Sequence, residues 1–136
     1  MKNILVIDAQ GGGIGKQIIS GLKGADVNAQ ITGVGTNAMA TSAMLKAGAD
    51  IAATGENAVI VGCRTADIIV GPIGIVVADS LYGEITPAMA TAIGQCTGKR
   101  VLIPINKCDN IIAGLDSETG LGSYIDDAIN IVKQLL

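Results

Sequence analysis

The chain has 136 residues, a formal charge of −3 with 9 Lys and Arg against 12 Asp and Glu, and no His. That length suits one domain, residues 1–136, and the negative charge with scattered cations excludes a nucleic-acid binder, which needs a basic stripe to displace phosphate counterions. A membrane span is excluded too: the longest apolar run, Ile68 to Ala78, is about half a span and is interrupted by Gly71, Pro72 and Gly74.

Short β-rich runs alternate with helical stretches along the chain, the pattern of a parallel sheet wrapped by crossover helices. Ile4 to Ile7 is an unbroken apolar run, as expected of a central strand buried on both faces. Gly15 to Lys23 follows as a helix, with Ile14, Ile18, Ile19 and Leu22 on one side. Gln30 to Val34 is the second strand. Thr36 or Asn37 caps a helix carrying Met39, Ala43, Met44 and Ala47, which stops at Gly48. Asp50 to Thr54 reads as the third strand. Asn57 to Cys63 is rich in β-branched residues, yet it is assigned as a helix because parallel neighbours need a crossover here. Asp67 to Gly71 is the fourth strand. Thr86-Pro87 starts a helix running to about Thr97 or Gly98, and Val101 to Ile105 is the fifth strand. Asn110 to Gly122 reads as a loop with room for one short strand. The last helix starts at Ser123, with Asp126 and Asp127 toward its positive end and Lys133 toward its negative end. The expected fold class is α/β, a Rossmann-like three-layer αβα sandwich with a mainly parallel sheet of about five strands.

The strongest local signal is the run Gln10, Gly11, Gly12, Gly13, Ile14, Gly15, Lys16, directly after the first strand. Glycines there let the backbone turn tightly and approach a ligand, and the helix that follows offers free N–H groups and a positive dipole end to a phosphate. The spacing departs from the dinucleotide fingerprint, because Lys16 stands where a third Gly belongs. Gly13-Ile14-Gly15 resembles the turn of short-chain dehydrogenases, but the earlier Gly of that motif falls on Ala9. No acid stands at the end of the second strand to grip an NAD ribose, no Arg stands there for NADP, and neither Tyr82 nor Tyr124 has a Lys four residues on. The same run half-resembles a P-loop through Gly15 and Lys16, with Gln17 in the place of the metal-binding Ser or Thr. Asn106-Lys107-Cys108-Asp109 matches the guanine-reading tetrapeptide of GTPases, without the strand-borne acid and Gly that accompany it there.

In an open α/β sheet, ligands bind beyond the carboxyl ends of the strands. The turns expected at that edge are Asp8 to Gly15, Gly35-Thr36-Asn37, Thr54-Gly55-Glu56-Asn57, Gly71-Pro72-Ile73-Gly74 and Asn106-Lys107. The candidate nucleotide site is drawn from these turns, with Lys16 neutralising a phosphate and Thr36, Asn37 and Glu56 meeting the ribose or base. Without His there is no Ser-His or Cys-His pair, and no catalytic residue is assigned. Cys63, Cys96 and Cys108 are expected to be free, buried or half-buried thiols, and no metal site is expected.

Charged residues are 15% of the chain, against roughly 25% in ordinary soluble domains. Part of Ile73 to Leu81 is expected to leave the sheet and need cover, either from a second copy in a homo-oligomer, a dimer first, or from the chain's own C-terminal helix. The N-terminus MKNILVIDAQ reaches Asp8 too soon for a signal peptide, so a cytoplasmic location is expected.

The segments IDAQGGGIGK, GTNAMATSAMLKAGA, ATGENAV, GPIGIVVADSLYGEITPAMA and IPINKCD resemble the domain-of-unknown-function family 3842, across most of Ile4 to Asp109. In that family the position of Ala9 is usually Gly. The resemblance implies a short Rossmann-like protein of anaerobic bacteria with no established activity. The resemblance leaves the function open; the expectation, carried by the Gly-rich turn, is binding of a nucleotide or dinucleotide, with NAD(P) ranked first and a purine nucleoside phosphate second. Two alternatives stand beside it: a non-catalytic structural or regulatory homo-oligomer, and a P-loop-like purine nucleotide binder using Gly15-Lys16 and the segment Asn106 to Asp109.

Overall fold

The computed structural model describes residues 1–105 and 109–136. Five strands, β1 (Lys2–Asp8), β2 (Ala29–Gly35), β3 (Ile51–Thr54), β4 (Ile68–Pro72) and β5 (Lys99–Ile103), form one sheet in the order β3-β2-β1-β4-β5. Every pairing is parallel. Five helices connect or follow them: α1 (Gly13–Gly24), α2 (Ala38–Lys46), α3 (Glu56–Cys63), α4 (Pro87–Gln95) and α5 (Leu121–Leu135). No described helix is long and apolar enough to cross a membrane.

The central strand shows why three layers form. Side chains alternate across a strand, so Ile4 and Val6 pack with Ile18, Leu22 and Ile125 of α1 and α5. Leu5 and Ile7 point the other way, against Val59 of α3 and Met89 and Ile93 of α4. All four are at most 2% exposed. Because the core has no Phe or Trp, the layers are filled largely by Ile, Val, Leu and Met.

Several boundaries differ from the sequence reading. Helix α1 starts two residues before the expected Gly15, because Gly12 at φ 75 turns the chain directly into it. Strand β5 covers Lys99–Ile103 rather than Val101–Ile105. Pro104 follows it and has no N–H with which to continue the ladder. Strand β4 ends on Pro72 rather than Gly71. Helix α4 ends at Gln95, short of Gly98, since Cys96 has already left helical geometry at ψ 134. Gly98 then lies so close to the next turn that a Cβ would be 2.5 Å from the Ala66 carbonyl oxygen. Helix α5 starts at Leu121 rather than Ser123, and the described residues between 109 and 120 contain no strand. The β-branched run Asn57 to Cys63 is indeed helical.

The cover of the Ile73 to Leu81 stretch also differs. A 3-10 turn over Ile73–Val76 leaves the sheet, and Ile75, Leu81 and Ile85, at 0%, 4% and 0% exposure, pack with Met89 and Ile93 of α4. Helix α5 lies on the opposite face of the sheet and contributes nothing there. The chain's own α4 covers this stretch, which removes that stretch as a reason to expect a partner subunit.

Candidate functional site

Strand order reverses between β1 and β4, and the loops leaving their carboxyl ends diverge there to form a crevice. On one wall, the Gly turn runs from the end of β1 into α1. Its four glycines divide into two kinds. A Cβ on Gly12 would lie 2.7 Å from the Ala40 Cα, and its φ of 75 disfavours any side chain. A Cβ on Gly15 would lie 2.6 Å from the Met44 sulfur and 3.0 Å from Cβ of Asp8. Packing therefore requires glycine at both. Gly11 and Gly13 have neither constraint: among the described residues, nothing lies within 4 Å of a Cβ built on either. Both are exposed, and neither amide donates to a described residue.

The turn is anchored by Asp8, the last residue of β1 and only 3% exposed. Its Oδ1 accepts from the Ala9 amide at 2.8 Å and its Oδ2 from the Gly15 amide at 2.7 Å. Burial pushes the Asp8 carboxyl above its ordinary range, against the hydrogen bonds from Gly15, Ala9 and Ile14, and the nearby Glu84 charge adds to the rise. The protein's own carboxylate thus takes the Gly15 amide, while the amides of Gly13, the first residue of α1, and of Gly11, in the turn before it, have no acceptor among the described residues.

Glu84 is the residue that sequence reasoning missed. It comes from the loop between β4 and α4, yet its Oε1 accepts from the Gln10 amide at 3.0 Å, the Thr36 hydroxyl at 2.7 Å and the Asn37 side-chain amide at 2.8 Å. Asn37 also donates to the Gln10 carbonyl at 2.9 Å, and its Oδ1 caps α2 by accepting from the Ala40 amide at 2.9 Å. One carboxylate oxygen therefore ties together loops from three strands. Burial would raise the Glu84 carboxyl, but the donors Thr36, Gln10 and Asn37 outweigh it and hold it below its ordinary value. Its Oε2 takes no hydrogen bond from the described residues. No local motif marks Glu84, because its partners lie 47 to 74 residues away in the chain.

Beyond the turn, a cleft of about 620 Å³ opens between Gln10, residues 77–82 and Asp109. Among the described residues, six other than glycine have positive φ: Gln10, Asp26, Asp79, Leu81, Tyr82 and Asp109. All of them except Asp26 line this cleft. A left-handed backbone costs an L-residue roughly 1–2 kcal/mol, and such strain concentrates where function requires it. Hydrogen bonds hold the strained loop: the Asp79 amide donates to the Ile85 carbonyl at 2.7 Å, the Gly83 amide to the Asp79 carbonyl at 3.1 Å, and the Ser80 hydroxyl to the Gly74 carbonyl.

The other expected site residues fall as follows. Gln10, Thr36 and Asn37 meet at the Glu84 carboxylate. Lys16 is exposed beside the turn, and Ile14 is buried beneath it. Gly35, Gly71, Pro72 and Gly74 are buried, with Ile73 half-buried. Glu56 stands apart from the turn, with its Oε1 accepting from the Thr86 hydroxyl at 2.5 Å. Asn106 and Lys107, with Cys108 of the GTPase-like tetrapeptide, lie outside the described residues. Cys63 is buried, and burial together with the neighbouring Cys96 pushes its thiol up to about 11. Cys96 is half-buried and donates to the Cys63 carbonyl at 3.2 Å. No group of three or more His, Cys, Asp or Glu among the described residues is placed to hold a metal.

A family model described as a domain of unknown function, DUF3842, matches residues 3–136, and the chain belongs to that family. No curated protein and no solved structure matches it.

Proposed function

Taking membership of a family without an assigned activity as the premise, we propose that the chain binds a nucleotide whose phosphate rests on the Gly11 and Gly13 amides. The observation that carries this reading is the division of the glycines. Gly12 and Gly15 are accounted for by packing, whereas Gly11 and Gly13, before and at the start of α1, have open space and no amide partner among the described residues. A bare backbone beside a positive helix end is what close approach to a phosphate requires. Lys16, one turn into the helix and exposed, is a mobile cation near the same end of α1.

Glu84 supports the ribose side of the reading. The end of β2 carries Gly35-Thr36-Asn37 and no acid, but Glu84 reaches it from the β4–α4 loop. Its free Oε2 is an acceptor for a ribose hydroxyl, the task of the acid at this place in dinucleotide-binding folds. A carboxylate there repels a 2′-phosphate, so NAD ranks ahead of NADP. A purine nucleoside phosphate ranks second.

The test is Gly13→Val. The open space around Gly13 lets the variant fold, while the added isopropyl group stands where the phosphate would lie. Binding of NAD, NADP, ATP and GTP is measured for parent and variant by calorimetry. The dissociation constant of whichever ligand the parent binds should rise at least tenfold. An unchanged constant removes the turn from the site.

A further inference from the structure

We propose that the cleft beside the Gly turn is a base-binding subsite, in which Tyr82 is the platform for the flat heterocycle of the bound nucleotide. The inference rests on the phosphate reading above, and it concerns a residue and a cavity which that reading does not use.

Tyr82 is 99% exposed on the wall of the cleft. It is one of only two aromatic residues in a chain with no Phe, Trp or His. Nothing in the core explains a large ring held in water, and its backbone is fixed at φ 57, next to Leu81 at φ 56. Leu81 itself is buried and anchors the loop in the α4 layer. The strained pair therefore has one side chain locked inward and the other presented outward.

The cavity suits a small ligand. At about 620 Å³ it falls within the range of small-molecule sites. It lies at the reversal of strand order, where open α/β sheets bind ligands. Gln10 lines both this cleft and the smaller hollow over Gly11 to Gly13, so the two form neighbouring stations for one molecule. The chemistry of the wall fits a nitrogen heterocycle. Tyr82 offers a π-face, and Asp79 and Asp109 offer carboxylates, which when ionised accept hydrogen bonds from an exocyclic amine. Those carboxylates disfavour a second phosphate, which keeps the anionic end of the ligand on the glycine side.

The experiment compares AMP with ribose 5-phosphate, which differ only in the base. With no Phe, Trp or His, the aromatic proton spectrum of the protein contains only the rings of Tyr82 and Tyr124, and Tyr82→Ala assigns them. AMP should shift the Tyr82 ring resonances upfield, and ribose 5-phosphate should leave them in place. Tyr82→Ala should weaken AMP about tenfold or more, the usual size of a lost base stack, and leave ribose 5-phosphate binding unchanged. Tyr82→Phe should retain AMP affinity. Because Tyr82 is 99% exposed, the Ala variant keeps its fold, and its unfolding midpoint checks this. AMP binding that is unmoved by Tyr82→Ala, with unshifted Tyr82 resonances, overturns the base subsite and leaves the phosphate reading intact. Failure of AMP to bind the parent also overturns the base subsite, whereas the phosphate reading stands or falls on NAD, NADP, ATP and GTP.

Discussion

Two carboxylates organise the candidate site, and their titrations act on stability in opposite directions. Asp8 divides its oxygens between the Ala9 and Gly15 amides in a buried setting. Its folded pKa is raised above the ordinary 3.8. Between those two values the folded chain binds more protons than the unfolded chain, so this contribution to stability falls as pH rises through the window. Asp8→Asn removes that slope, and it also sets an amide NH2 against one of the two backbone donors. We expect it to lower stability at neutral pH by roughly 1–3 kcal/mol, read from denaturant unfolding. Glu84 behaves in the other sense. Its folded pKa lies below the ordinary 4.5, so its contribution is fully present above that value and is lost as pH falls through the folded pKa. Glu84→Ala leaves the donors of Gln10, Thr36 and Asn37 without their acceptor. The expected loss is about 1–2 kcal/mol, since the site is partly solvated and water replaces some of the bonds, and the stability of the variant no longer falls in acid through this group. Asp8 was legible as the first residue of the turn at the ligand edge but not as the anchor of that turn, and the role of Glu84 arises only when loops distant in the chain are folded together.

At the scale of elements, legibility followed locality. The Thr86-Pro87 start of α4 and the Asn37 cap of α2 are short-range chemistry, and both form as expected, with the Thr86 hydroxyl accepting from the Met89 amide at 3.1 Å. The start of α1 and the ends of α4 and β5 lie two residues or more from their expected positions, set by the turn at Gly12, the extended Cys96 and Pro104. Apolar residues after Gly98 point to a strand at Val101, but pairing with β4 begins at Lys99, opposite Ile68. The cover of Ile75 and Leu81 by α4 was hidden for the same reason, since periodicity shows that a face is apolar and not what lies on it. The Gly turn offers a clean comparison between neighbours. Gly12→Ala places a Cβ against Ala40 in a left-handed backbone and should destabilise by more than about 1 kcal/mol. Gly13→Ala, in open space at the first position of α1, should be neutral or stabilise by up to about 1 kcal/mol. Equal losses in the two variants, compared by unfolding midpoint, would show that packing governs the whole turn and would remove the distinction on which the site rests.

For the whole molecule, strand order sets where function can reside. The α/β class and the parallel sheet were readable from alternating runs alone, whereas the order β3-β2-β1-β4-β5, which places the crevice between β1 and β4, follows from the assembled sheet. That crevice gathers the free amides, the Glu84 carboxylate and five of the six non-glycine residues with positive φ among the described residues. A ligand that fits it binds the folded chain and not the unfolded one, so it must raise stability by mass action. The most direct test is therefore denaturant unfolding of the full chain, alone and with NAD, NADP, ATP and GTP in turn. At least one of them, with NAD ranked first, should raise the unfolding free energy by roughly 2.7 kcal/mol when present at about 100 times its dissociation constant. An unfolding midpoint unchanged by all four at millimolar concentration would contradict nucleotide binding at this site.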